Sequence, residues 1–357
     1  MEHRTKGDTR VDHQKLTRFV SQAFQKLGVP ENDAEIAAKV LVAADLRGVD
    51  THGVIRFNPN AWYVKWLQEG SMNPTPNIRV VSENGSTALI DGDTGIGMVI
   101  GHRAMELAIQ KAKSSGVAMV GARNSRHFGM SAYYAMRALP HDMIGIAMTN
   151  ASRQVVPTFG LEAKFGTNPI CFAVPADKEL PFVLDMATTT AAAGKLEVAV
   201  RHGDAIPLGW ALDENAEPTT DPKVAQKARR LLPLGGTREG GSHKGYGLAI
   251  VVEILCGVLT GTITALNSNQ EPRGHFFGAI RIDAFRPVAD FKADMDRLIR
   301  ELKSTAPMEG QQRVFVAGEI EFETTQERAA RGIPLHSSVL DGLRAVSEQL
   351  GLPYDLE

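Results

Sequence analysis

The chain has 357 residues, 43% hydrophobic and 22% charged, with a formal net charge of -2. That length exceeds what one compact core usually holds, so two domains are expected, and the composition is that of a folded globular protein. The near-neutral balance gives no general attraction to nucleic acid or to an anionic membrane, so an anionic substrate would need local basic groups.

The first ten residues are polar and charged, without the apolar centre of a secretory signal. No apolar run reaches the roughly 18 residues that span a bilayer, so a cytoplasmic protein is expected. Leu16, Phe19, Val20, Ala23, Phe24 and Leu27 recur at three- and four-residue intervals, which predicts a helix stopped by Gly28 and Pro30. A second helix, capped by Asn32 with Glu35 three residues on, carries Ile36, Val40 and Ala43 and ends at Gly48. Trp62, Tyr63, Trp66 and Leu67 mark a third, which stops at Gly70, and Asn73-Pro74-Thr75-Pro76 reads as a linker and domain boundary. Beyond it, β-rich runs are expected at 78–81, 88–91, 117–120, 143–149, 170–174 and 182–185, with helices at 101–113 and 131–139. This mixture predicts an α/β or α+β domain. Residues 246–259 read as an apolar, buried helix, and 288–302, 325–331 and 338–349 as amphipathic surface helices. Cys171 and Cys256 sit in apolar runs as inert buried thiols. No Cys-x-x-Cys or His-Glu-x-x-His spacing occurs, so no metal is expected.

Five segments have chemistry to offer. In Arg47-Gly48-Val49-Asp50-Thr51-His52-Gly53-Val54-Ile55-Arg56 a helix ends and a turn holds a carboxylate, a hydroxyl and an imidazole before a new helix. Histidine suits proton exchange with an alcohol, and Arg56, one helical turn on, offers a planar fork for a carboxylate. Spacing alone equally accommodates a capping threonine, a surface histidine and an ion-paired arginine. Asn124-Ser125-Arg126-His127-Phe128-Gly129 is a strand-to-helix turn suited to an anion, or a turn whose histidine only packs. Gly95-Ile96-Gly97-Met98-Val99-Ile100-Gly101 resembles a dinucleotide fingerprint, but its last glycine is one place late. A Rossmann site using Arg123 for NADP is the alternative to plain helix-on-sheet packing. The glycine-rich run 235–247, with His243 and Lys244, enters a helix as a phosphate cradle or as a surface loop. Thr167, then Asp185, Met186 and Ala187, then Lys195 lie in polar clusters at the edges of β-rich runs, and each could face a pocket or be only a polar turn or a solvated lysine.

Taken together in their order, 47–56, 124–129, 166–169, 185–188, 209–213, 233–236 and 244–248 resemble the malate/L-lactate dehydrogenase family, whose NAD(P) domain is not a Rossmann fold. The resemblance implies a largely antiparallel sheet flanked by helices (residues 76–287), with a helical domain built from residues 1–75 and 288–357. It also implies a homodimer with NAD or NADP as cofactor. Hydride would pass between nicotinamide and C2 of a small 2-hydroxy or 2-keto acid of malate, lactate or ureidoglycolate type. By the same resemblance His52 and Thr51 are catalytic, with His127 as rival for the proton. Arg56, Thr167 and Lys195 meet the substrate. Ser125, His127, Phe128, Gly129, Asp185, Met186, Ala187, His243 and Lys244 meet the cofactor. Thr51 stands where serine is usual, and Lys195 where the cyclic-imine reductases carry aspartate, which argues against imine reduction. A silent ligand-binding homologue is the alternative from another class.

Overall fold

The computed structural model describes residues 8–60, 62–263 and 273–357. Strand β1 (Thr9–Val11) leads into α1 (His13–Lys26), whose first turn is capped by the Asp12 carboxylate accepting from the backbone N–H groups of Gln14 and Lys15. Helix α2 (Glu31–Leu46) begins earlier than expected. Pro30, not Asn32, holds the cap position, and Glu31 and Asp33 place negative charge on the first turn instead. The helix expected after Gly53 is a single 3-10 turn at Val54–Arg56, following another at Asp50–His52. The short strand β2 (Phe57–Asn58) and α3 (Trp62–Gln68) complete the N-terminal part.

The central sheet has seven strands: β3 (Arg79–Glu83), β4 (Thr87–Asp91), β5 (Val117–Ser125), β6 (Met143–Thr149), β7 (Ile170–Val174), β8 (Phe182–Met186) and β11 (Arg273–Arg281). Their order is β3-β4-β5-β11-β6-β7-β8, and only β4 and β5 run parallel. This is the largely antiparallel sheet expected. Helices α4 (Gly97–Ser115) and α5 (Ser131–Ala135) pack against it. The glycine run that resembled a fingerprint is the start of α4. A Cβ on Gly97 would stand 2.1 Å from the Arg126 carbonyl oxygen, so backbone fills the place a pyrophosphate would need. Antiparallel pairing and that contact overturn the Rossmann alternative.

Several elements were not anticipated. Strand β11 sits in the middle of the sheet, but Gly274 and Gly278 break its β-pattern, each packed where a side chain would collide. Helices α6 (Ala193–His202) and α7 (Pro222–Ala228) are short, and the two-residue strands β9 (Ala211–Leu212) and β10 (Arg230–Leu231) lie between and after them. Helix α8 (Ser242–Val252) starts inside the glycine-rich run and continues as a π-helical turn, Glu253–Val258. It is not the buried helix expected: Val251, Ile254, Val258 and Leu259 are 45%, 48%, 55% and 62% exposed. Helices α9 (Val288–Lys303), α10 (Glu319–Arg331) and α11 (Ser337–Leu350) follow, and α10 extends six residues further toward its N-terminus than expected. Strand β12 (Ile333–Leu335) pairs with β1, so both ends of the chain meet, and one apolar cluster runs from Val11 through α2 and α4 to Leu356. Among the described residues no helix is long and apolar enough to cross a membrane.

Candidate active site

The turn after α2 is shaped from beneath by Asp45. Its buried carboxylate accepts the Val54 N–H at 2.8 Å, and a Cβ on Gly53 would lie 1.9 Å from its Oδ1, so only glycine fits there. Burial raises the Asp45 pKa well above the usual carboxylate range, with Asp50 adding to the rise. Arg328, from α10, reaches back to the Asp45 carbonyl and the Asp50 carboxylate, tying the C-terminal helices to the turn. What this scaffold presents is Thr51, His52 and Arg56.

His52 is half-buried and its Nδ1 lies 3.0 Å from Thr51 Oγ1. Its ring stacks near His127, with centroids 5.7 Å apart and planes 22° from parallel. The His127 Nδ1 lies 2.5 Å from Tyr63 Oη and accepts the Gly129 N–H at 3.3 Å. An amide N–H can only donate, so Nδ1 must be the acceptor and the neutral ring carries its proton on Nε2. The Trp62 ring meets His127 edge-on at 4.6 Å and lies beneath the Arg56 guanidinium, also at 4.6 Å. Arg56 Nε donates to the Thr51 carbonyl at 2.8 Å, and Nη1 stands 3.5 Å from Glu197 Oε1.

Burial, and then the charge of Arg56, lowers the His52 pKa to about 4. His127 is also held well below the ordinary histidine value, first by burial, then by His52, Arg56, Arg273 and His275. Arg273 itself is lowered to about 10 by burial, with Arg126 adding to the effect. A chain of net charge -2 therefore concentrates cations around two neutral imidazoles, a setting that favours an anion.

The remaining residues singled out from sequence fall into two groups. Some are tied to the turn or to one another by backbone contacts. Gly194 packs on Thr51, where a Cβ would lie 2.4 Å from the threonine Cγ2, so the methyl that distinguishes Thr51 from serine fills the junction with α6. Lys195, on that helix, is exposed and its ammonium lies over the Trp210 ring at 5.8 Å. The Thr167 carbonyl accepts from Thr188 N–H and Oγ1, and the adjoining Asn168 donates to the Ala249 carbonyl of α8 at 3.1 Å. That links the Asp185–Ala187 segment and Thr167 to α8, whose first turn exposes His243 and Lys244. The Arg238 guanidinium donates to His243 Nδ1 at 3.1 Å. Asp185 accepts the Ala132 N–H at 2.7 Å. The protein around Asp185 raises its pKa to about 6, although its side chain still reaches solvent. Met186 and Ala187 are half-buried beside it.

The second group is interior. Ser125 is fully buried, 2.7 Å from His275 Nε2, Phe128 stacks on His275 at 4.6 Å, and Gly129 is buried against Val40. Arg123 donates to Asp91 at 3.0 Å. Tyr63, Trp62, Glu197, Asp45 and Arg328 complete the site but were not singled out from sequence. The two aromatics carried only the signal of a helical stripe, and the other three had none.

Comparison with known proteins gives a consistent result. Residues 11–344 match the family model described as malate/L-lactate dehydrogenase. A malate dehydrogenase from Pyrococcus horikoshii is 45% identical over 349 residues, covering 96% of each chain. An L-sulfolactate dehydrogenase from Methanocaldococcus jannaschii is 41% identical, over 94% of this chain and 95% of that one. The crystal structure of a malate dehydrogenase from Entamoeba histolytica superposes with a TM-score of 0.93 at 35% identity, covering 97% of this chain and 99% of that one.

Proposed function

The chain belongs to the malate/L-lactate dehydrogenase family, an oxidoreductase dependent on a pyridine nucleotide, and from that premise we propose that it oxidises a small 2-hydroxy acid of malate type at C2. The observation that carries the reading is the pairing of two stacked neutral histidines with Arg56 beside them, a proton-handling pair next to a carboxylate fork. NAD or NADP supplies the hydride acceptor when bound. The exposed first turn of α8, with His243 and Lys244, suits its phosphates, and Asp185 with Met186 and Ala187 suits its remaining polar edge. Arg123 gives no lean toward NADP because Asp91 already engages it.

His52 takes the hydroxyl proton. His127 cannot do so at Nε2 without moving its proton to Nδ1, which faces the Gly129 N–H. It instead donates Nε2–H to the substrate oxygen. His52 has the lone pair for the task when its Nδ1–H is given to Thr51 Oγ1. Arg56 holds the carboxylate, and Thr167 is the second substrate contact in this reading. The cationic surroundings of Arg56, Arg126 and Arg273 favour a dianionic acid over a monoanionic one.

A homodimer is part of the same reading. It is supported by the apolar stripe that α8 and its π-helical turn leave uncovered on the single chain.

The test of the site is His52→Ala. Turnover is expected to vanish while reduced nicotinamide binds as in the unaltered protein, followed by its fluorescence. A variant that still turns over would remove His52 from the role and overturn the tautomer assigned to His127.

A further inference from the structure

Helix α6 contributes to the site through Glu197 rather than through its lysine. Its start is fixed by the contact of Gly194 with the Thr51 methyl, so the helix lies directly on the turn. Residues two apart on a helix point to nearly opposite sides. Lys195 accordingly lies over Trp210, and Glu197 faces Arg56. The Arg56 side chain is 15% exposed and the Glu197 side chain 34% exposed. The arginine is thus fixed at three points: its plane on Trp62, its Nε on the Thr51 carbonyl, and its Nη1 toward a carboxylate that solvent still reaches.

We propose that Glu197 is the resident counter-ion of this arginine, a carboxylate that neutralises Arg56 in the empty site and is displaced by the carboxylate of the incoming acid. The proposal rests on the reading of Arg56 as the substrate clamp. A half-buried guanidinium beside two imidazoles is costly without an anion near it, and its charge works against the protonation that His52 must undergo. Glu197 removes part of that cost before substrate arrives. At 3.5 Å, and on one guanidinium nitrogen only, the pair is looser than a bidentate carboxylate–arginine contact. Substrate therefore exchanges a weak ion pair for a stronger one, and the released glutamate is already near solvent. Glu197 positions and tunes the clamp without touching the reacting atoms, and it sets how tightly any small carboxylate is held.

The experiment compares the full-length protein with Glu197→Gln and Glu197→Ala. Two quantities are measured: steady-state kinetics on the hydroxy acid that the unaltered protein turns over, and oxalate binding by calorimetry. Removing the competing charge is expected to lower KM and the oxalate Kd together by about two- to fivefold, the span of half-exposed ion pairs, with the gain in KM rather than kcat. Unchanged or raised KM and oxalate Kd in both variants would overturn the proposal. Arg56→Lys separates the two ideas. If it raises KM and oxalate Kd while the Glu197 variants do nothing, the clamp stands and the counter-ion falls. If it leaves both constants unaltered, the clamp reading itself fails.

Discussion

Two histidines of the same residue type are given different work by their hydrogen bonds. The Gly129 amide fixes the tautomer of His127 with its proton on Nε2, whereas His52 faces a hydroxyl that can donate or accept. The Gly129 amide is local to its turn, but the second group on His127 Nδ1, Tyr63 Oη, arrives only when α3 is packed against that turn, which position in the sequence does not reveal. The motif around Thr51 and His52 was readable from sequence because one short segment carries it. Glu197, 141 residues from Arg56, was not. The lowered pKa of His52 has a measurable consequence. In the unfolded chain the ring takes a proton near its ordinary value of 6.5, and in the folded protein only near 4. Its contribution to stability is therefore complete above pH 6.5 and is lost as pH falls from there toward 4. The same shift sets the acid limb of kcat/KM for oxidation at saturating cofactor. That limb, corrected for ionisation of the acid substrate, is expected at about pH 4 to 5, since kcat/KM reports the free site. An acid limb at 6.5 or above would show that His52 is not the base, or that it is solvated in a way this geometry does not allow.

At the level of elements, pattern reading worked where burial and periodicity coincide. Helices α1, α9 and α11 each bury one stripe, and strands β4 to β8 are compact apolar runs, so their sequences carry the signal. It failed where packing requires glycine. Strand β11 occupies the centre of the sheet, yet Gly274 lies against the Cys256 carbonyl and Gly278 against Met119, and those close approaches erase the β-pattern. Helix α8 misled in the opposite direction. Its uniformly apolar sequence, Gly247-Leu248-Ala249-Ile250-Val251-Val252, reads as core, but in the single chain it covers the sheet with one face and shows the other to solvent. Such an uncovered face is what an isologous interface would use. Substituting Ile254→Glu and Val258→Glu together is expected to convert a dimer to a monomer, read by light scattering at micromolar concentration. A monomeric unaltered protein, or a double variant that stays dimeric, would place the interface elsewhere or remove it.

For the whole molecule, the site depends on parts of the chain that are distant in sequence. The turn comes from the end of α2, Arg328 holds it from α10, α6 lies on it through Gly194, and the 167–168 loop links the Asp185 segment to α8. The β1–β12 pair and the shared apolar cluster bring the N- and C-terminal segments against the sheet, so the helical ends position the chemistry as much as the sheet does. The family pattern was visible from sequence because its motifs keep their order from residue 47 to residue 248, within the 11–344 that the family model matches, although no single one of them specified the fold. The assembly as a whole argues for one activity, hydride exchange with a small 2-hydroxy acid. The most direct measurement follows the absorbance of reduced nicotinamide with the purified full-length protein. The hydroxy acids are malate, sulfolactate, lactate and ureidoglycolate, each offered with NAD and with NADP. Reduced nicotinamide is expected to form, fastest with malate or sulfolactate. Absence of any change with every pair, and with the corresponding keto acids in reverse, would contradict that activity and leave a scaffold that binds without turning over.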